Sequence, residues 1–329
     1  MIEATAVRIV GKGDVDVLEL AALPVSAPGP HEVLVRVAAV GLNRADVLQR
    51  RGYYAAPPGV PADVPGLEYA GHIEQLGPGV LDLAVGDAVM GIVAGGAMST
   101  HVVVHERECI RVPAGMPIEE AAAVPEVFFT AYDALFDQAR LSPGELLLVH
   151  AVGSGVGTAA LQLGLVCGAE VAGTSRTQSK LDRCRALGLS EGLLVPEKSF
   201  AAAFATRFGG RGADVVLDLV GAAYLADSVA ALALRGRIVV LGLVGGATAE
   251  LSLGALLGKR GQLIGSVLRS RPLEEKAALA QSFARNVLPL FTRGKLKPIL
   301  DCVLPMSEVR AAHRRMEQNE TFGKIVLRW

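Results

Sequence analysis

The chain has 329 residues, of which 51% are hydrophobic and 20% charged, with a formal net charge of −1. So much apolar material argues for a well-buried globular enzyme and excludes disorder. The balanced charge leaves neither the basic footprint of a nucleic-acid binder nor a patch for a membrane surface.

In chain order, the first third reads as β-rich. Residues 5–10, 31–40 and 71–76 are β-branched and apolar between prolines and glycines. Gly77-Pro78-Gly79 is a turn, and residues 85–89 open another strand. From Ile118 the pattern becomes helical, with Glu119 and Glu120 suited to a first turn. From Leu146 the order alternates: strand 146–150, helix 157–167, strand 170–174, helix 178–187, strand 192–195 and helix 199–208. Strand 213–219, helix 223–233 and strands 237–241 and 262–267 complete it. Six strands with intervening helices predict a doubly wound parallel sheet of the Rossmann type.

A helix over 273–293 and a closing strand over 324–328 follow. The last ~35 residues are expected to rejoin the first domain, because a lone helix and strand have no core of their own. The chain exceeds what one core usually fills. The expected division is 1–122 with 295–329 as a β-rich catalytic domain, and 123–294 as a dinucleotide-binding domain. Residues 146–169, 24 in all, contain no Asp, Glu, Lys or Arg, which is long enough for a membrane span. The glycine turn divides them into strand and helix, so no span is expected.

The segment from Leu146 to Lys180 is the most informative. Gly153, Gly155 and Gly157 form a turn between an apolar strand and an Ala/Leu-rich helix, where backbone N–H groups and the helix dipole favour a pyrophosphate. The strict G-x-G-x-x-G spacing is not met, since the third glycine falls at Thr158 or Ala160. A tight turn in any α/β protein is the bland alternative. The second strand ends without the carboxylate that would hold a ribose 2′-hydroxyl, and Ser175, Arg176 and Lys180 follow, a set suited to a 2′-phosphate. NADPH is the expected cofactor. The four cysteines, Cys109, Cys167, Cys184 and Cys302, are scattered without a C-x-x-C pair and read as thiols of a reducing compartment. Met1–Arg8 shows no apolar signal core, so the cytoplasm is the default.

The order of these segments resembles the medium-chain dehydrogenase/reductase superfamily, and within it the p53-inducible quinone oxidoreductase type. The stretches that carry the resemblance span nearly the whole chain. They are Val40-Gly41-Leu42-Asn43-Arg44-Ala45-Asp46, Gln49-Arg50-Arg51-Gly52-Tyr53-Tyr54 with Pro57-Pro58-Gly59, and Gly66-Leu67-Glu68-Tyr69-Ala70-Gly71. Later come Gly153–Thr158, Gly242-Leu243-Val244-Gly245-Gly246, Ser266-Val267-Leu268-Arg269-Ser270-Arg271 and Gly323-Lys324-Ile325-Val326-Leu327. The resemblance implies a GroES-like catalytic domain beside the Rossmann sheet, and reduction of quinones by NADPH. Zinc-dependent relatives place a cysteine and a histidine where this chain has Asn43 and Leu67. Leucine cannot ligate zinc and asparagine is a poor ligand, so a zinc-free enzyme is expected. His72, His101 and His105 read as ordinary polar or strand residues. Without a Lewis acid, alcohol oxidation loses its usual alkoxide stabiliser, whereas an electrophilic acceptor needs mainly orientation beside the nicotinamide.

The resemblance also assigns roles. Ser154, Gly155, Val156 and Gly157 face the pyrophosphate, and Ser175 and Lys180 the 2′-phosphate. Thr130, Gly242, Leu243, Ser266 and Leu268 lie near the nicotinamide, and Lys324 closes the cofactor site from the returning strand. Each has a plainer alternative: Lys180 and Lys324 as solvated lysines, and Thr130 as a helix cap. Asn43 and Tyr54 are the acceptor-pocket candidates, each with a donor for a quinone oxygen; a loop-bridging Asn and an amphipathic Tyr remain the alternatives. Asp46 reads as structural. Val195 stands where relatives have a tyrosine packing on the adenosine, so an aromatic contact is lost. Competing functions are a zinc-free enone or enoyl-thioester reductase, and an NADPH-binding protein without turnover. A homodimer is expected, joined through the apolar strand 262–267 at the sheet edge.

Overall fold

The computed structural model describes residues 1–196 and 199–329. The chain divides into two units, Met1–Phe129 with Leu268–Trp329, and Thr130–Val267. The helical segment 273–293 therefore falls in the first unit, whereas the sequence had suggested a dinucleotide-binding segment running to residue 294.

Unit 1 opens with strands β1 (Ile2–Ile9) and β2 (Leu18–Val25), an antiparallel pair. It continues with β3 (Glu32–Leu42), β4 (Glu68–Leu76), β5 (Ala88–Ile92), β6 (His101–His105) and β7 (Ile110–Arg111). Helix α1 (Arg44–Arg50) follows β3, and α2 (Ile118–Ala121) precedes α3 (Pro125–Tyr132), which runs over the division into unit 2. β1 and β4 begin earlier than their sequence signals, at Ile2 and Glu68, and β3 runs on to Leu42, because ladder pairing extends them past the apolar runs.

Unit 2 is the doubly wound sheet. Its strands are β8 (Leu146–Val149), β9 (Glu170–Ser175), β10 (Glu191–Leu194), β11 (Ala213–Asp218), β12 (Leu232–Val240) and β13 (Gln262–Gly265). They pair in parallel in the order β10-β9-β8-β11-β12-β13. The connecting helices are α4 (Gly155–Cys167), α5 (Gln178–Arg185), α6 (Ala201–Arg207), α7 (Ala222–Ala231) and α8 (Leu253–Lys259). All four residues of β8 are fully buried, as a strand covered on both faces requires. This accounts for the uncharged run 146–169. Among the described residues no helix is long and apolar enough to cross a membrane.

The chain then returns to unit 1 through α9 (Leu273–Asn286), α10 (Leu288–Thr292), β14 (Leu300–Pro305), α11 (Val309–Glu317) and β15 (Lys324–Arg328). The helix expected over 273–293 is broken at Val287. Pro289 has no N–H to continue the ladder and sits at the start of α10, where that loss is tolerated. The larger sheet runs β14-β15-β3-β4-β5-β7, with β6 also on β3. Its core joins Val35, Val37, Leu42, Tyr69, Met98, Ile325 and Leu327.

Candidate active site

Antiparallel pairing of β3 and β15 sets Leu42 opposite Ile325. The next residues, Asn43 and Lys324, therefore meet just beyond that pair, beside the start of β4 at Glu68. Lys324 Nζ lies 2.6 Å from Glu68 Oε1 and 2.6 Å from Asn43 Oδ1, and donates to the Leu42 carbonyl at 2.8 Å. Asn43 Nδ2 donates to Glu68 Oε1 at 2.8 Å and to the Gly41 carbonyl at 3.1 Å. A Cβ on Gly41 would overlap the Glu68 carboxylate, so the glycine makes room for the cluster. Glu68 is 0% exposed and Lys324 3%. Lysine has three N–H donors, and these three acceptors take them all. Lys324, expected near the cofactor, holds its ammonium in a buried ion pair with Glu68, so it is not a solvated lysine.

The second Glu68 oxygen, Oε2, accepts the Glu126 N–H at 2.8 Å, one of the donors a helix start leaves without an intrahelical partner. Glu126 as a whole is half-buried. Its carboxyl is pushed up to about 8, by desolvation first and then by Glu68, with Asp46 adding and Lys324 and Arg269 opposing.

Asp46 accepts the Asn43 N–H on Oδ2 and the Gly66 N–H on Oδ1, each at 2.8 Å. It is fully buried, and burial pushes its carboxyl up to about 6 against these two hydrogen bonds and Lys324. Gly66 has φ +105° and its Cβ would strike the Met98 amide, so only glycine fits here. Asp46 thus ties the start of α1 to the turn before β4, the structural role expected of it.

Tyr54 is half-buried against Arg269, whose guanidinium carbon lies 4.8 Å from the ring centroid. Arg269 Nη1 donates to the Tyr54 carbonyl at 3.2 Å, Nε to the Ala94 carbonyl at 2.6 Å, and Nη2 to Gln49 Oε1 at 2.7 Å. Burial raises the Tyr54 phenol and Glu126 adds to this, while Arg269 opposes. Arg269 was part of a motif in the sequence but had no role; its fork pins the loop that carries Tyr54.

In unit 2, Ser154 caps α4, its Oγ accepting the Gly157 N–H at 3.1 Å. Ser154, Gly155 and Val156 are partly exposed at that helix start. A Cβ on Gly157 would lie within 3 Å of the Ala151 and Val152 carbonyls, so this glycine permits close approach of helix to strand. Ser175 ends β9 and its Oγ accepts the Thr177 N–H at 3.2 Å. Arg176 is exposed beside it, and Lys180 lies in the first turn of α5. Gly242 and Leu243 follow β12, and Leu243 is 55% exposed. Ser266 follows β13 and its hydroxyl donates to Asp133 Oδ2 at 2.9 Å.

Because the strands are parallel, these residues collect at the carboxyl ends of the strands, where open α/β sheets bind ligands. Thr130 is half-buried in α3, and Leu268, 6% exposed, begins the returning part of unit 1. Val195 is 1% exposed and packs into the core with Leu193 and Phe200. It therefore presents no broad face to a ligand.

Two family models match the chain: "Alcohol dehydrogenase GroES-like domain" over residues 29–114 and "Zinc-binding dehydrogenase" over residues 155–284. The synaptic vesicle membrane protein VAT-1 homolog of Rattus norvegicus is 31% identical, over 97% of this chain and 82% of its own. The pikromycin polyketide synthase component PikAII of Streptomyces venezuelae is 36% identical over 91% of this chain, which spans only 8% of that protein. Among solved structures, a quinone oxidoreductase of Pseudomonas syringae pv. Tomato DC3000 superposes with a TM-score of 0.90 at 29% identity, covering 99% of this chain and 100% of the other. CurK enoyl reductase gives 0.88 at 29% identity, with 99% of each chain covered.

Proposed function

Because the chain belongs to the medium-chain dehydrogenase/reductase family, a family of oxidoreductases, we propose that it is a zinc-independent, NADPH-dependent reductase of quinones. The observation that carries this reading is the bond from the Lys324 ammonium to Asn43 Oδ1. Zinc-dependent relatives have ligands at the positions of Asn43 and Leu67. Here one is a buried leucine and the other already accepts from a cation, which would repel a divalent metal. A site without a Lewis acid suits an acceptor that is electrophilic by itself. The likeness to a quinone oxidoreductase structure supports the choice, and the motifs around Asn43, Tyr54 and Arg269 favour the p53-inducible type.

For the cofactor, Ser154–Gly157 would hold the pyrophosphate at the start of α4, and Ser175, Arg176 and Lys180 the 2′-phosphate. Thr130, Gly242, Leu243, Ser266 and Leu268 would border the nicotinamide. The partly exposed helix start and the basic cluster after β9 fit such a dinucleotide. Bound NADPH would supply the hydride. Tyr54 would contact the acceptor, with Arg269 fixing its position. Asn43 and Lys324 would form the polar wall of the acceptor site without donating to it, since their hydrogens are engaged. Cys109, Cys167, Cys184 and Cys302 are all free thiols, which supports a reducing, cytoplasmic setting. The edge position of β13 supports a homodimer.

A second reading, reduction of an enone or enoyl thioester, is favoured by the likeness to CurK enoyl reductase. NADPH consumption measured with a naphthoquinone, a 2-enal and a crotonyl thioester separates the two. The quinone is expected to be fastest. A thioester reduced faster than the quinone would overturn the quinone assignment.

A further inference from the structure

The ladder between β8 and β9 ends at the pair Val149–Gly173. Thr174 and Ser175, the last residues of β9, keep ladder partners only on the β10 side, at Leu193 and Leu194. Towards β8, Thr174 is held by two other contacts. Its carbonyl accepts the Val152 N–H of the glycine turn at 3.0 Å, and its hydroxyl lies 3.1 Å from Nδ1 of His150, the residue after β8. A Cβ on Gly173 would strike the Val152 side chain, so the turn rests directly on β9. On its other side the His150 ring reaches Ser228 of α7, with Nε2 2.9 Å from Oγ. His150, Thr174 and Ser228 are each at most 1% exposed.

The donors give these contacts a direction. Ser228 Oγ spends its one hydrogen on the Tyr224 carbonyl at 2.8 Å, so towards His150 it can only accept, and Nε2 carries the ring hydrogen. Burial keeps the ring neutral, pushing His150 down to about 3. Nδ1 is therefore bare and accepts the Thr174 hydroxyl hydrogen. A chain of hydrogen bonds runs from Thr174 through His150 and Ser228 to the Tyr224 carbonyl. It joins the ends of β9 and β8 to α7, wholly within unit 2. What it fixes is the residue before Ser175, whose own Oγ accepts the Thr177 N–H at the entry to α5 and Lys180. We propose that His150 is a positioning residue for cofactor selectivity, holding the end of β9 through the Thr174 hydroxyl so that Ser175, Arg176 and Lys180 receive the 2′-phosphate. This rests on the reading of that cluster as the 2′-phosphate site. NADH lacks the phosphate that depends on this geometry.

The test measures NADPH and NADH affinity of the full chain by quenching of cofactor fluorescence, in the parent, Thr174→Val and Thr174→Ser. Valine keeps the shape of threonine and removes the hydroxyl. It should raise the NADPH Kd by about fivefold, the scale of one net hydrogen bond, and the NADH Kd by less than about twofold. Serine returns the hydroxyl and should recover most of the NADPH affinity. In the parent, nitrogen NMR should show His150 at neutral pH with hydrogen on Nε2 and none on Nδ1, and NADPH should shift the Nδ1 resonance more than NADH does. If Thr174→Val does not fold, the NMR measurement decides. An unchanged NADPH affinity in the valine variant, equal losses for both cofactors, or a serine variant no better than valine overturns the positioning role alone. So does hydrogen on Nδ1, or an equal shift with either cofactor. A parent that binds NADPH no more tightly than NADH overturns the 2′-phosphate reading, and the positioning role with it.

Discussion

Lys324 and Glu68 form an ion pair at 2.6 Å with almost no solvent contact, at the meeting of β15 and β4 beside β3. A buried pair of this kind is a weak source of net stability, but removing one partner strands the other charge. Lys324→Met is expected to destabilise unit 1 by about 3–5 kcal/mol, read by urea unfolding at neutral pH. Glu68→Gln combined with Lys324→Met should cost clearly less than the two single changes added together. Strict additivity would show that the pair is not energetically coupled.

Two buried histidines set the acid side of the stability profile. His150 is enclosed by Phe200 and Tyr224, with Nδ1 3.1 Å from Thr174 Oγ1 and Nε2 2.9 Å from Ser228 Oγ. Burial pushes it down to about 3; His313, buried beside Arg50, is also near 3. In both, the folded chain favours the neutral ring, so their contribution is complete above the ordinary histidine value of 6.5. It is lost as pH falls from there towards 3. Asp46 works the other way, because its carboxyl holds a proton to about 6 that the unfolded chain releases near 3.8. His150→Asn should be less stable than the parent at neutral pH. The gap should narrow by roughly 1 kcal/mol per pH unit between pH 6 and 4. A gap independent of pH would mean that His150 is not held neutral.

The doubly wound sheet was legible because strands buried on both faces must be continuous apolar runs, as Leu146–Val149 and Val215–Leu217 are. The Asn43–Glu68–Lys324 cluster was not, although the motifs containing all three residues were visible. Its members are far apart in sequence and meet only through the β3–β15 and β3–β4 registers. A usable signal existed: Glu68 and Lys324 each head an apolar strand, and a charge there implies an opposite charge opposite it. Glu126 and Arg269 were missed for a different reason. Their significance lies in the charges around them, and periodicity carries no record of that. The strand β2 was missed because its exposed positions include Leu20, Ala22 and Pro24, so burial alternates along it but polarity does not.

Cofactor choice is expected to follow the end of β9. With Ser175, Arg176 and Lys180 there and no carboxylate on the strand end, NADPH should bind at least about tenfold more tightly than NADH, near 1.4 kcal/mol. Lys180→Ala should weaken NADPH selectively, as measured by quenching of cofactor fluorescence. Equal losses for both cofactors would remove Lys180 from the phosphate site.

Strand β13 ends the order of the doubly wound sheet, and Leu263 on it is 40% exposed, with Leu253 and Leu257 on α8 at 71% and 78%. An apolar edge of this sort invites pairing with its own copy. Light scattering at micromolar concentration should return the mass of a dimer, and Leu263→Lys should shift it towards monomer. A monomeric parent would count against the homodimer.

Tyr54 offers the most direct test of where the acceptor binds. Tyr54→Phe removes only the hydroxyl and keeps the ring against Arg269. If that hydroxyl donates to the acceptor during hydride transfer, kcat and kcat/KM for a quinone should fall together, whereas loss of ground-state contact would chiefly raise KM. The fall should stay below the roughly hundredfold of a dedicated oxyanion donor, because a quinone is reactive and positioning supplies most of the rate. Arg269→Lys keeps the charge but loses the fork that reaches the Tyr54 and Ala94 carbonyls and Gln49. It should raise quinone KM severalfold, with NADPH affinity intact. Asn43→Ala is expected to act differently, lowering stability by about 1–3 kcal/mol because Lys324 and Glu68 each lose a partner. If Tyr54→Phe and Arg269→Lys both turn over quinone like the parent, Tyr54 is scaffold and the acceptor lies elsewhere.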